Sequence, residues 1–123
     1  MKSSLTPADP PADLVAKIQE FFPESQWVNA LDIAWLESGW NPDATNATAL
    51  TSGGCGARLQ SRDGVSIQAE FSIGYFQINM CNLPGWSIGA LYRAHDNVGT
   101  AHHMWRQRGW QPWYFSAKAL GLI

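Results

Sequence analysis

The chain has 123 residues, with 8 Lys and Arg against 10 Asp and Glu, 46% hydrophobic residues and 7 Trp. That length and apolar content suit one domain with a core of its own, and they exclude two domains and global disorder. A formal charge of −2 excludes a basic nucleic-acid footprint on net balance, and no run of about 18 apolar residues is present to span a membrane.

In chain order, residues 1–11 hold Pro7, Pro10 and Pro11 and no apolar stretch. They predict a flexible Pro-rich segment rather than a secretory signal, leaving 12–123 as the folded domain. Leu14, Val15, Ile18, Phe21 and Phe22 share one face of a first helix that opens at Pro11 or Ala12 and stops before Pro23. A second helix runs from Ser25, its expected N-cap, to Ser38, with Trp27, Val28, Leu31, Ala34 and Trp35 on its apolar stripe and Gly39 behind it. A polar stretch, 41–56, follows without an assigned element.

The period then changes from helical to alternating. Residues 57–61 and 65–71 alternate apolar and polar around Arg62-Asp63-Gly64, which predicts a β-hairpin. Residues 74–79 read as one short helical turn. Ser87 is placed to cap a helix bearing Ile88, Leu91 and Tyr92, and Asp96 to cap one bearing Val98, Ala101 and Trp105. Pro112 suits the first turn of a last short helix with Trp113 and Leu120. The expected fold class is α+β, mainly helical with a small β-hairpin. Cys55 and Cys81 allow one disulfide, worth about 3 kcal/mol if formed, or two free thiols.

Glu37 is the most informative residue. It falls in the last turn of the second helix, beside the apolar stripe. Partial burial and the negative end of the helix dipole both disfavour its ionised form, and a carboxylic acid kept protonated near neutral pH is what general-acid catalysis requires. From spacing alone, a solvated glutamate closing a helix is the commoner reading.

The surrounding residues add weight. Glu37-Ser38-Gly39-Trp40-Asn41-Pro42-Asp43-Ala44 resembles the Glu-Ser-x-aromatic-Asn-Pro-x-Ala segment of the lysozyme superfamily, as found in soluble lytic transglycosylases and in goose-type and phage lysozymes. Ser72-Ile73-Gly74-Tyr75-Phe76-Gln77-Ile78-Asn79 resembles that family's second motif. Leu91, Asp96-Asn97-Val98, Ala101, Trp105, Gly109-Trp110 and Trp113 resemble its third segment. The resemblance spans about residues 12–116, with the three motifs in order. It implies a lysozyme-like fold whose hairpin flanks an active-site cleft. It also implies cleavage of the β-1,4 bond between N-acetylmuramic acid and N-acetylglucosamine in peptidoglycan, with Glu37 as general acid.

A second carboxylate is harder to place. Hydrolytic glycosidases generally use two. Where chicken-type and goose-type lysozymes carry an acid around the second motif, this chain has Ser72 and Asn79. Glu70, four residues before Gly74, is the remaining candidate base, with a solvated strand carboxylate as the competing reading. The absence of acids at 72 and 79 suits the alternative of a lytic transglycosylase, in which the substrate closes a 1,6-anhydro ring. The chain lacks that group's later Ala-Tyr-Asn-x-Gly motif, and Tyr114 is the nearest substitute for its tyrosine. Ser38, Ser72, Tyr75, Gln77, Asn79 and Tyr114 are the expected substrate-binding residues, with Trp40 or Trp86 lining the cleft.

Most tryptophans, Trp27, Trp35, Trp105 and Trp113 among them, are expected in the core. Asp63 reads as a turn residue and Asp43 as a cap or loop acceptor. His95, His102 and His103 lack the further ligands a metal site needs, so no metal and no cofactor are expected. The expected partner is the peptidoglycan glycan strand, met by a monomer that neither binds nucleic acid nor inserts into a membrane. The site of action is then the bacterial cell wall, reached as a phage-delivered, virion-associated or holin-released enzyme. A non-catalytic wall-binding or virion structural domain is the competing class.

Overall fold

A computed structural model describes the backbone of residues 1–49, 59–60, 66–67, 69–79 and 89–123, and the side chains of 1–46, 72–79 and 89–123. It is mostly helical with a small antiparallel sheet, in agreement with the α+β expectation at that level. In order come α1 (Ala12–Phe21), α2 (Trp27–Ser38), β1 (Thr45–Ala49), β2 (Leu59–Gln60), β3 (Ser66–Ile67), β4 (Ala69–Ile73), β5 (Ile78–Asn79), α3 (Ala94–Arg108) and α4 (Tyr114–Ala119). Short 3-10 turns at Glu24–Gln26, Ala90–Tyr92 and Gln111–Trp113 lead into α2, α3 and α4. Among the described residues no helix is long and apolar enough to cross a membrane.

Proline and glycine place the helix ends where the sequence predicts them. Phe22, preceding Pro23, is extended at φ −91° and ψ 148°, because the proline ring bars the helical conformation from its predecessor. Gly39 closes α2 in the left-handed region at φ 62°, and its N–H bonds the Trp35 carbonyl at 2.8 Å. The start of α2 differs from expectation. Ser25 lies inside a 3-10 turn closed by Gln26 N–H to Pro23 C=O, so Gln26 occupies the N-cap and no side chain caps the helix.

The sheet corrects three further expectations. Polar residues 45–49 form β1, which pairs antiparallel with β4 from Thr45↔Ile73 to Ala49↔Ala69. Residues 74–79 are not a helical turn. Gly74 at φ 77° and Gln77 at φ 48° make a tight reversal into β5, which returns along β4 with Ser72 opposite Asn79. The hairpin pairing is present between β2 and β3, with Leu59↔Ile67 and Gln60↔Ser66. Residues 65–71, expected as one strand, divide between two sheets, since β3 pairs with β2 and β4 with β1. The Arg62-Asp63-Gly64 turn, Cys55, Cys81, Trp86, Ser87 and Ile88 lie outside the described residues.

Asn97 locks this sheet to the helices. It is 1% exposed. Its amide donates to the carbonyls of Ile73 (2.9 Å) and Leu91 (2.8 Å), and its oxygen accepts from the Phe76 N–H (3.0 Å). A Cβ on Gly74 would lie 2.3 Å from the Asn97 amide nitrogen, so only glycine admits this approach. The same arrangement corrects the expected cap of α3. The Asn97 N–H bonds the Arg93 carbonyl at 2.9 Å, so the helix opens at Ala94. Asp96 lies within its first turn and meets the Arg93 side chain at 3.1 Å.

The core is aromatic and continuous. Phe22 stacks on Trp110 at 5.6 Å and also meets Phe76 and Trp105. The buried Trp113 indole donates to the Phe76 carbonyl at 2.8 Å, tying the 3-10 turn before α4 to the β4–β5 turn. Leu14, Ile18, Leu31, Ile33 and Val98 are fully buried around it. Each such side chain contributes roughly 1.5–3 kcal/mol relative to exposure. Trp27, Trp35 and Trp105 pack against this core as expected. Residues 1–11 have no regular structure, yet they are anchored. Ser3 Oγ donates to Asp32 Oδ1 at 2.6 Å, Ser4 N–H to the same oxygen at 3.1 Å, and Ser4 Oγ to Oδ2.

Candidate active site

Glu37 is carried by the last turn of α2, one residue before Ser38 and two before the Gly39 cap. The apolar residues preceding it, Ile33 and Ala34, are fully buried, which turns this end of the helix toward the interior. Its side chain is half-buried, and its Oε2 accepts a hydrogen bond from Ser116 Oγ of α4 at 2.5 Å. Burial pushes the carboxyl above its ordinary pKa of 4.5, while the Ser116 bond, which favours the anion, pulls the other way. The balance is upward. A carboxylic acid in this state holds its proton further toward neutrality than a surface glutamate and gives it up to an acceptor that enters the site.

Ser38 secures the neighbouring chain. Its one hydroxyl proton is shared between the Ala34 carbonyl (3.0 Å) and the Tyr75 carbonyl (2.8 Å). The first bond is a back-bond within α2. The second joins the helix end to the β4–β5 turn, and so brings the first two sequence motifs into contact.

Other expected site residues are placed differently. Tyr75 is 2% exposed, and its hydroxyl donates to Asp13 of α1 at 2.8 Å. It packs inward where the sequence reading placed it against substrate. Its phenol is pushed well above the ordinary tyrosine range by burial, then by the Asp13 bond. Gln77 donates its amide to the Ala44 and Gly74 carbonyls, both at 3.1 Å, and so stitches the loop after α2 to the turn. Trp40 is also buried, at φ 59°. Its indole donates to the Leu31 carbonyl at 3.0 Å, and the ring meets Trp35 edge-on. In the loop after α2 the Asn41 side chain accepts the Asp43 N–H at 3.0 Å, and the Asp43 main-chain carbonyl accepts from Thr45 Oγ1 at 3.1 Å.

Ser72 and Asn79 face each other across β4 and β5, and Asn46 lies opposite Ser72 on β1. Opposed residues share one face of a sheet, so these three polar side chains form a row across it. No carboxylate belongs to the row. The Glu70 backbone pairs with Thr48 in the β1–β4 ladder, and its side chain lies outside the described residues. Tyr114 opens α4, two residues before Ser116. It is 46% exposed, with the Lys118 ammonium 5.6 Å from the centre of its ring.

His95 and His102 serve packing, and His103 is exposed. His95 and His102 both meet the Phe21 ring, and His102 also meets Phe22 and Trp105. Among the described residues no group of three or more His, Cys, Asp and Glu is arranged to hold a metal ion. Sequence reasoning missed Ser116, because a serine between Phe115 and Ala117 carries no signal of a partner 79 residues away. Compared with family models, with curated proteins and with solved structures, the chain matches none.

Proposed function

We propose that this chain cleaves peptidoglycan glycan strands at the β-1,4 bond between N-acetylmuramic acid and N-acetylglucosamine, using a lysozyme-like fold with Glu37 as general acid. The observation that carries this reading is the half-buried Glu37 carboxyl, raised in pKa and held by Ser116 at the C-terminal end of α2. The order of the three sequence motifs supports it, as does the Ser38 bond that joins the first motif to the second.

In the reaction, protonated Glu37 delivers its proton to the glycosidic oxygen as the bond from that oxygen to C1 of the muramic acid breaks. The electron pair of that bond stays with the leaving N-acetylglucosamine oxygen. In the hydrolytic course, water adds to C1 with Glu70 as the assisting carboxylate, and the proton lost from the water balances the one given up. In the second course, the 6-hydroxyl of the muramic acid adds to C1, and its proton returns to the Glu37 carboxylate. The uncharged Ser72 and Asn79, at positions where the resemblance would put a lysozyme's acid, support this anhydro-forming course.

Turbidity of purified sacculi tests the reading. Wild type clears the suspension and Glu37→Gln does not, although both sediment with the walls. A wild type that sediments with walls and never clears them is a wall-binding or virion structural domain instead. Mass spectrometry of the released muropeptides separates the two courses, as reducing muramic acid ends mark hydrolysis and anhydro ends mark cyclisation.

A further inference from the structure

We propose that Ser116 is the positioning residue of Glu37. It holds Oε2, so that Oε1 is the oxygen that carries and delivers the proton. This inference rests on Glu37 being the acid. Ser116 is 6% exposed, and its Oγ lies 2.5 Å from Oε2. A hydroxyl has a single proton to donate. Once that proton is committed to Oε2, the acidic proton of the carboxyl group belongs on Oε1. The carboxyl is then held against rotation about its last bond, and an acid that must meet a glycosidic oxygen at one angle gains from that constraint.

The support beneath Ser116 is rigid. Its carbonyl accepts from the Leu120 N–H at 3.1 Å within the last turn of α4, and Trp113, just before that helix, is tied to Phe76. Among the described residues, these charged and titratable groups on the surrounding elements have partners of their own. Tyr114 and Lys118 of α4 meet each other, Tyr75 of the turn is bonded to Asp13, and Asp32 of α2 is held by Ser3 and Ser4. Among the described residues, burial and the Ser116 bond are what shift Glu37.

Ser116→Ala removes the hydroxyl, Ser116→Cys keeps the volume with a weak donor, and Ser116→Thr restores a hydroxyl. The measurements are the carboxyl carbon NMR titration of Glu37 without substrate and the pH profile of kcat and KM on soluble glycan fragments. The Ala and Cys variants move the Glu37 titration and the alkaline limb of kcat to higher pH together, since a bond that favoured the anion is gone. Plateau kcat falls about tenfold with KM little changed, as expected for a lost charge-assisted bond that acts on the transition state. Thr restores both readouts. A loss of fold alone lowers activity without moving the titration upward. An unmoved titration in the Ala and Cys variants, or a wild-type plateau kcat in both, overturns the inference. A wild type that cuts no glycan defeats the assignment of Glu37 itself, which is distinct from failure at Ser116, where wild-type cutting persists.

Discussion

Glu37 is held in a state that folding disfavours once it ionises. Its folded pKa lies above the unfolded value of about 4.5, so the native state binds more protons than the unfolded chain above that value. Stability from this group is therefore fully present below pH 4.5 and declines as pH rises through the folded pKa. Glu37→Gln removes the ionisation and keeps an acceptor for Ser116. Its melting temperature should exceed that of wild type at pH 7, and the gap should close toward pH 4, as read by calorimetry at the two pH values. A gain in stability with a loss of activity is the expected signature of a residue kept for chemistry. The position of Glu37 beside the apolar stripe was legible from helical spacing. Its partner Ser116 was not, because tertiary packing of α4 on α2 alone brings the two together. Tyr75 and Trp40 misled for the opposite reason. An aromatic residue in a loop or turn reads as available, and here backbone carbonyls and Asp13 take up their polar atoms.

Among the elements, the β4–β5 turn bears most on the site, since it carries the second motif and bonds Ser38. Asn97 makes three buried hydrogen bonds that hold this turn and the 3-10 turn before α3. Asn97→Ala leaves those backbone groups unsatisfied and should cost about 3 kcal/mol, measured by urea denaturation. Gly74→Ala meets the Asn97 amide and a left-handed backbone at once, and should cost a similar amount, roughly 3 kcal/mol. Both variants should lose activity with stability, unlike Glu37→Gln. The helices were readable from Pro23, Gly39 and the apolar periodicity. The β1 strand was not, because Thr45–Ala49 is short and built of small residues whose strand state comes from pairing with β4. The reversal at 74–77 looked helical because glycine-containing motifs fit several tight turns. The tertiary bonds from Asn97, Ser38 and Trp113, with those of Gln77, select this one.

At the scale of the molecule, an aromatic core running from Phe22 through Trp110 and Trp113 to Phe76 couples the helices to the sheet edge that bears the second motif. The N-terminal segment joins that body through Asp32, which is 3% exposed and satisfied by Ser3 and Ser4. Asp32→Ala should release residues 1–11, costing about 2 kcal/mol and opening them to limited proteolysis before the rest of the chain unfolds. The α+β class followed from composition and period. The second carboxylate did not, because Ser72 and Asn79, opposed across β4 and β5, hold no charge. If Glu37 donates the proton that cuts the glycan, new glycan ends counted in purified sacculi separate wild type from Glu37→Gln at equal folded concentration. The variant should form at least about a thousandfold fewer. Equal numbers of new ends from the two proteins would contradict that role.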